Sequence, residues 1–375
     1  MHVGKGIFIQ NLGNSTRSDE QTLKLEMELA VAAEDQGFGS VWTSEHHFTG
    51  YHMVPGVTQI LTYLAARTTR VRLGSMVIVL PWQEPTRIAE ELAVLDNLSD
   101  GRLVLGLGRG LGKVEFDALR LDMGQSRELF TEYSEALIDA FDTGVIEHQG
   151  ALYKQPPTPL RPAPIAPLRG RTYASAVSPS SLDLMIKLGF GILVNGQKPW
   201  DLTEKEVKAY HDRFVEINGY EPPKPLLVSF TAVHESEAAA QEMYEEYIVP
   251  NARSTVDHYE FDNTAIADIP GYEYYGNVAR SIAKHGRETF IRFLADLQVW
   301  GTPDQVTEQI TSHIRRLDGA GVIANLSFGD MPTHTACANQ DLFARSVLPQ
   351  LSGVDPQRDI PSRPREIAVP TARPA

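Results

Sequence analysis

Eight short runs dominated by Val, Ile, Leu and other uncharged residues recur along the chain, separated by stretches of helical periodicity. They fall at 6–10, 40–42, 71–80, 102–108, 172–178, 191–195, 226–233 and 322–328. Strands that are apolar nearly throughout, rather than on alternate residues, belong to parallel sheets covered on both faces. The segments between them carry helix signals. Residues 19–36 place Leu25, Leu29 and Ala32 on one face and stop at Gly37, which suits the left-handed position past a helix end. Thr302, Pro303 and Gln305 form a capping box with proline at the first helical position, ahead of a stripe of Val306, Ile310, Ile314 and Leu317. Eight such units predict a (β/α)8 TIM barrel with insertions, and an open doubly wound sheet is the rival on pattern alone. One barrel domain is expected over 1–351. Residues 352–375, with five prolines, seven charges and little to bury, are expected to be a disordered tail. The proline-rich stretch 155–167 is expected to lack regular structure.

Composition narrows the function. Of 375 residues, 42% are hydrophobic, enough for a large core. A net charge of −14 with no basic stripe argues against nucleic acid as a partner. No apolar run reaches the length of a membrane span, and the first residues lack a signal-peptide pattern. The single cysteine, Cys337, permits no intrachain disulfide and is consistent with a reducing cytoplasm, where the chain is expected to work.

The second apolar run leads into Glu45-His46-His47-Phe48. Strand alternation puts Glu45 and His47 on one side and His46 on the other. An acid and two imidazoles at a strand's C-terminal end form either a structural hydrogen-bonded cluster or an acid–base site. One short cluster supplies too few ligands, at the wrong spacing, for a zinc motif, so no metal is expected. Gly106 to Gly112 resembles a dinucleotide fingerprint and fails as one, because Leu111 stands where the third glycine belongs. It leaves a glycine-rich strand end open to close ligand approach, with Arg109 projecting there. Arg127 opens one helix, and Ser178 to Ser181 open another after the fifth strand. Free N–H groups at helix starts and two guanidinium groups could together hold a phosphate; as surface charges and an N-cap they would hold nothing.

Several stretches carry a wider resemblance: WTSEHHFT at 42–49, GSMVIVLP at 74–81, AEELAVLDNLSDGRLVLGLGRGL at 89–111, DMGQSREL at 122–129, GYEY at 271–274 and GTPDQ at 301–305. Over residues 5 to about 350 the chain resembles the bacterial luciferase family of flavin-dependent monooxygenases, the luciferase α subunit in particular. The resemblance implies a (β/α)8 barrel that takes reduced FMN from a separate flavin reductase. With O2 as co-substrate it would form a flavin C4a-hydroperoxide and oxidise a small organic substrate. It makes His46 the catalytic histidine; Glu45 and His47, from the same strand-end cluster, are further catalytic candidates. It places Arg109, Arg127, Ser178 and Ser181 at the FMN phosphate, and a non-proline cis peptide at Met76–Val77 beside the flavin ring. It makes 255–285 a mobile active-site loop, and implies a homodimer through helices of the second and third units. The chain departs from the family at Gly108 (a reactive cysteine in luciferase), at Val177 (an acidic residue there) and at Asn195-Gly196-Gln197, where an aromatic loop stands. These departures predict a dark monooxygenase with a different substrate. The alternatives are a deazaflavin-dependent oxidoreductase on the same fold, and a flavin-binding or partner subunit without chemistry of its own.

Overall fold

The computed structural model describes residues 1–175 and 179–352, together with all side chains in these ranges except those of 179–181. The expected tail past Ser352 and the last three residues of the fifth predicted strand therefore lie outside the described residues. Eight parallel strands close into a ring: β1 (His2–Ile7), β2 (Ser40–Thr43), β3 (Arg72–Ser75), β4 (Leu103–Gly108), β5 (Thr172–Ser175), β6 (Gly191–Asn195), β7 (Leu226–Val233) and β8 (Gly321–Asn325). Closure comes from β7, which pairs with both β6 and β8, and from β8, which pairs with β1. The ring has no edge, which rules out the open sheet. Ile7 lies beside Thr43, and Thr43 beside Ser75, so residues just past these positions emerge together at one rim.

The barrel interior is filled by Trp42, Val104, Tyr173, Leu193, Leu226 and Ile323. Gly74 sits opposite Trp42, and a Cβ there would land inside the indole. A bulky strand residue is thus matched by an absent one on its neighbour. The helix signals hold. The helix α1 (Asp19–Asp35) ends before Gly37, whose φ is +94°. Capping at Thr302 and burial of Val306, Ile310, Ile314 and Leu317 are as read.

Four readings need correction. The first strand lies earlier than 6–10, and residues 8–10 already belong to the rim. The run 71–80 is broken: β3 stops at Ser75, and only Ile78–Val79 pairs again, with β4, beyond the cis Met76–Val77 bond. The eighth strand ends at Asn325 rather than at 328. The proline-rich stretch is also partly regular, because Lys154–Pro159 pairs antiparallel with Val145–Gln149. A two-stranded ribbon leaves one side of each strand unpaired, so prolines lacking an N–H can face that side. A short strand at Val299–Gly301, beside β7, gave no periodic signal at three residues.

Over the C-terminal rim lies a second apolar cluster, in which Met243, Ile248, Phe261 and Ile291 pack with Phe8 and Tyr51. Residues 255–285, expected as a loop, are largely helical there, at Val249–His258 and Glu273–His285. They roof the site.

Candidate active site

β2 ends at Thr43, and the next four residues cross the rim with their side chains still alternating. Glu45 and His47 turn one way. His47 Nε2 lies 3.1 Å from Glu45 Oε1, which also accepts from Gln83 Nε2 at 2.6 Å. Glu45 Oε2 accepts the Val79 N–H at 2.7 Å. The Glu45 N–H donates to the Val77 carbonyl at 3.1 Å, and the Met76 N–H to that of Thr43 at 2.7 Å. This pair therefore braces the break in the third strand, where the Met76–Val77 bond is cis as the resemblance implied. Burial pushes the Glu45 carboxyl up, against the hydrogen bonds from His47 and Val79.

His46 turns the other way, into contacts for which the sequence carries no signal. Its Nδ1 lies 3.0 Å from Glu115 Oε1 and 3.2 Å from His258 Nε2, and its Nε2 lies 3.2 Å from the Tyr259 hydroxyl. Glu115 Oε1 also accepts the His47 N–H at 2.8 Å, and His258 Nδ1 is 3.1 Å from Thr49 Oγ1. Burial lowers the pKa of His46, against the pull of Glu115, and so favours the neutral ring. Burial by itself would raise the Glu115 carboxyl. The hydrogen bonds from His258 and His46 outweigh it and hold the group at about 2. An ionised carboxylate only accepts, so His46 carries its proton on Nδ1 and offers Nε2 as an acceptor to the phenol of Tyr259. Burial raises that phenol well above its usual range, which keeps it a donor. One ligand atom from each of His46, Glu115 and His258 lies within 4.8 Å of the others, a spacing that a divalent ion could also use. The contacts within the cluster are those of a hydrogen-bonded chain. His52, nearby and fully buried, is different: Nδ1 accepts the Ile9 N–H at 2.9 Å and Nε2 donates to the Ser44 carbonyl at 3.0 Å. Both nitrogens serve the backbone, and burial pulls its pKa to about 3.

A cleft runs from His46 past Met76, Val77 and Gly108 to Arg109, roofed by Tyr259, Tyr272 and Tyr275. Gly106 and Gly108 were read as room for a ligand. A Cβ at Gly106 would collide with the Ser75 carbonyl, and one at Gly108 with the Val77 side chain. Both glycines make room for the broken third strand, and Gly108 also lines the cleft. At the far end Arg109 donates to the Gly271 carbonyl at 2.7 Å and its guanidinium lies 4.2 Å from the Tyr272 ring centre. A Cβ on Gly271 would sit 2.8 Å from Arg109 Nη1 and 2.9 Å from Arg127 Nη2, so the two arginines converge there. Buried Arg109 Nη1 and Arg127 Nε have no hydrogen-bond partner among the described residues. Ser126, at the start of the helix Ser126–Thr143, is fully buried and lies 2.9 Å from the Tyr272 hydroxyl. Of the two predicted phosphate serines, Ser178 lies outside the described residues, as does Val177. Ser181 belongs to the helix Pro179–Lys187, but its side chain lies outside them too.

With this geometry in place, comparison with known proteins is decisive. A family model described as "Luciferase-like monooxygenase" matches residues 3–318. The chain belongs to the luciferase-like monooxygenase family. Members of this family are oxidoreductases. The chain is 26% identical over 360 residues to the alkanal monooxygenase alpha chain of Photobacterium leiognathi, covering 91% of this chain and 96% of that protein. It is 30% identical over 234 residues to the oxygenase component of flavin-dependent trigonelline monooxygenase from Acinetobacter baylyi, covering 60% and 64%. Two curated relatives are thus matched over only 40% and 64% of their own length. The oxygenating constituent of 3,6-diketocamphane monooxygenase from Pseudomonas putida, solved in complex with FMN, superposes with a TM-score of 0.71 at 19% identity, covering 94% and 98% of the chains. At that identity it supports the fold alone. Among the described residues, no helix of this luciferase-like protein is long and apolar enough to cross a membrane.

Proposed function

We propose that this luciferase-like chain is the oxygenase of a two-component system, using reduced FMN from a separate reductase and O2 to oxidise a small organic substrate. The observation that carries the reading is the convergence of Arg109 Nη1 and Arg127 Nη2 on Gly271, with Arg109 Nη1 and Arg127 Nε buried and without a hydrogen-bond partner among the described residues, beside a cleft whose lining includes both Arg109 and His46. Buried donors of that kind call for an anion, and paired arginines suit a phosphate. Arg109 and Arg127 would hold the FMN phosphate, while Met76, Val77 and Gly108 flank the ring. Reduced flavin and O2 supply the oxidising chemistry when bound. The chain's own part is to position, to exclude water beneath the tyrosine roof, and to move a proton at His46 Nε2. Glu115 fixes the tautomer that leaves Nε2 unprotonated beside the Tyr259 hydroxyl, and the Glu45–His47 pair holds the floor of the cleft. The trigonelline relative is named as an oxygenase component, which favours a reductase on a separate chain.

The reading extends to assembly. The helices α2 (Val57–Arg67) and α3 (Pro85–Leu98) expose Tyr63, Val94 and Leu98, and a second copy of this chain would cover them in a homodimer.

The test is an anaerobic titration with reduced FMN, followed by mixing with oxygenated buffer while the absorption spectrum is recorded. The wild type should bind reduced FMN and reoxidise more slowly than free flavin, through a spectrally distinct stage. Arg109→Ala should weaken binding by roughly 1.5–3 kcal/mol, the usual loss of a charged hydrogen bond. Preference for a reduced deazaflavin, or reoxidation indistinguishable from free flavin, would overturn the reading.

A further inference from the structure

A second chamber adjoins the cleft, and the two share Ser44, His46, Met76, Asn195, Gln197 and Tyr259. Their linings differ in charge. The cleft includes Arg109 and Glu45, whereas among the described residues no Asp, Glu, Lys or Arg lines the second chamber. Part of the lining is aromatic and aliphatic: Phe8 and Phe230 meet edge to face at 4.9 Å, Tyr51 packs edge-on against Phe8 at 5.3 Å, and Leu294 is also present. The lining also carries carboxamides. Gln298 is already committed, accepting the Phe230 N–H at 3.1 Å and donating to the Gly196 and Leu294 carbonyls, both at 3.2 Å. Asn251 and Asn325 are not. They are 2% and 1% exposed, and the Oδ1 of each has no partner among the described residues. Asn325 ends β8 and Asn195 ends β6, positions from which barrels direct side chains at their ligands.

We propose that this chamber binds an uncharged organic substrate with an apolar ring for the Phe8–Phe230 pair and an N–H or O–H group for Asn251 and Asn325. It rests on the flavin reading, since the shared wall at His46 and Met76 is what would bring such a substrate to the oxidising centre. A carboxylate or ammonium group would be buried there without a counter-charge, a cost of several kcal/mol. A neutral group without a donor would leave two buried acceptors unsatisfied. The chamber therefore selects twice, against charge and for a donor.

Three probes of nearly equal shape separate these demands: benzamide (neutral, with a donor), acetophenone (neutral, without one) and benzoate (anionic). Calorimetric titration of the full-length protein, with and without FMN, should give benzamide about tenfold tighter binding than acetophenone, with benzoate weakest. Asn325→Leu and Asn251→Leu should each erase most of the preference for benzamide over acetophenone. Benzoate binding as well as benzamide, acetophenone matching benzamide, or no probe binding at its solubility limit would each overturn the proposal. Should the asparagine variants fail to fold, the probe ranking on the wild type decides alone. FMN affinity from the same titrations keeps the two readings apart. Probe selectivity without FMN binding would remove the flavin reading and leave the chamber, and FMN binding without selectivity would do the reverse.

Discussion

His46 and His47 are adjacent, each sits beside a buried glutamate, and they face opposite sides of one strand end. His47 is paired locally, with Glu45 two residues away, and that carboxylate spends its remaining capacity on Gln83 and the Val79 backbone. His46 is paired at long range, with Glu115 and His258 from two other segments, and its second nitrogen meets a roof tyrosine above the cleft. Identical side-chain chemistry thus yields a brace on one side and, in the proposed function, a proton carrier on the other. What separates them is where the second ring nitrogen points and whether the carboxylate has oxygen to spare.

The sharpest way to break the comparison is to delete the carrier. His46→Ala should shorten the spectrally distinct stage of flavin reoxidation or slow turnover by about 10²- to 10⁴-fold, the usual share of a positioned acid–base group. Rates within a factor of two of wild type would return His46 to the same class as His47. Next in size is Glu115→Gln. The folded carboxyl lies near 2, below the 4.5 of a free one. Its stabilisation is therefore whole above pH 4.5 and is lost as pH falls toward 2. Urea unfolding at neutral pH should show the variant weaker by on the order of 3 kcal/mol, with the gap closing in acid. A gap independent of pH would mean that Glu115 acts by packing rather than by charge.

These two residues also mark the limit of what could be read from the sequence. Apolar runs of strand length, helix caps and the Gly37 stop are local signals, and they brought out five of the eight strands closely and the barrel as a whole. The EHH cluster and Arg109 were legible because strand ends on a barrel's active face are predictable from the strands. Glu115 and His258 were not. They are separated from His46 by 69 and 212 positions, and neither lies in a stretch whose composition singles it out. Their meeting depends on the roof packing over the rim, a tertiary fact with no periodicity. Gly106 and Gly108 were visible as unusual, but the sequence showed only part of the reason, because the clash that they avoid is with a break in the adjacent strand that alternation could not foresee.

On the bracing side, a smaller loss is expected, and in a different property. Glu45→Ala would leave the Val79 N–H buried without its acceptor, costing about 1–3 kcal/mol of stability. It should also weaken reduced-FMN binding, because Val77 and Val79 line the cleft that the pair supports. The proton chemistry at His46 should survive in whatever fraction binds flavin.

The smallest effect is the most discriminating. His47→Asn removes one hydrogen bond to Glu45 Oε1, while Gln83 still serves that oxygen and Val79 the other. The His47 backbone N–H, which holds Glu115, is untouched by the substitution. A net loss near 1 kcal/mol in thermal or urea unfolding is expected, with flavin reoxidation kinetics like those of wild type. Should His47→Asn instead abolish the distinct reoxidation stage as fully as His46→Ala, the two histidines would be acting as one unit. The proton path would then run through the strand end as a whole, and the division between brace and carrier would have to be withdrawn.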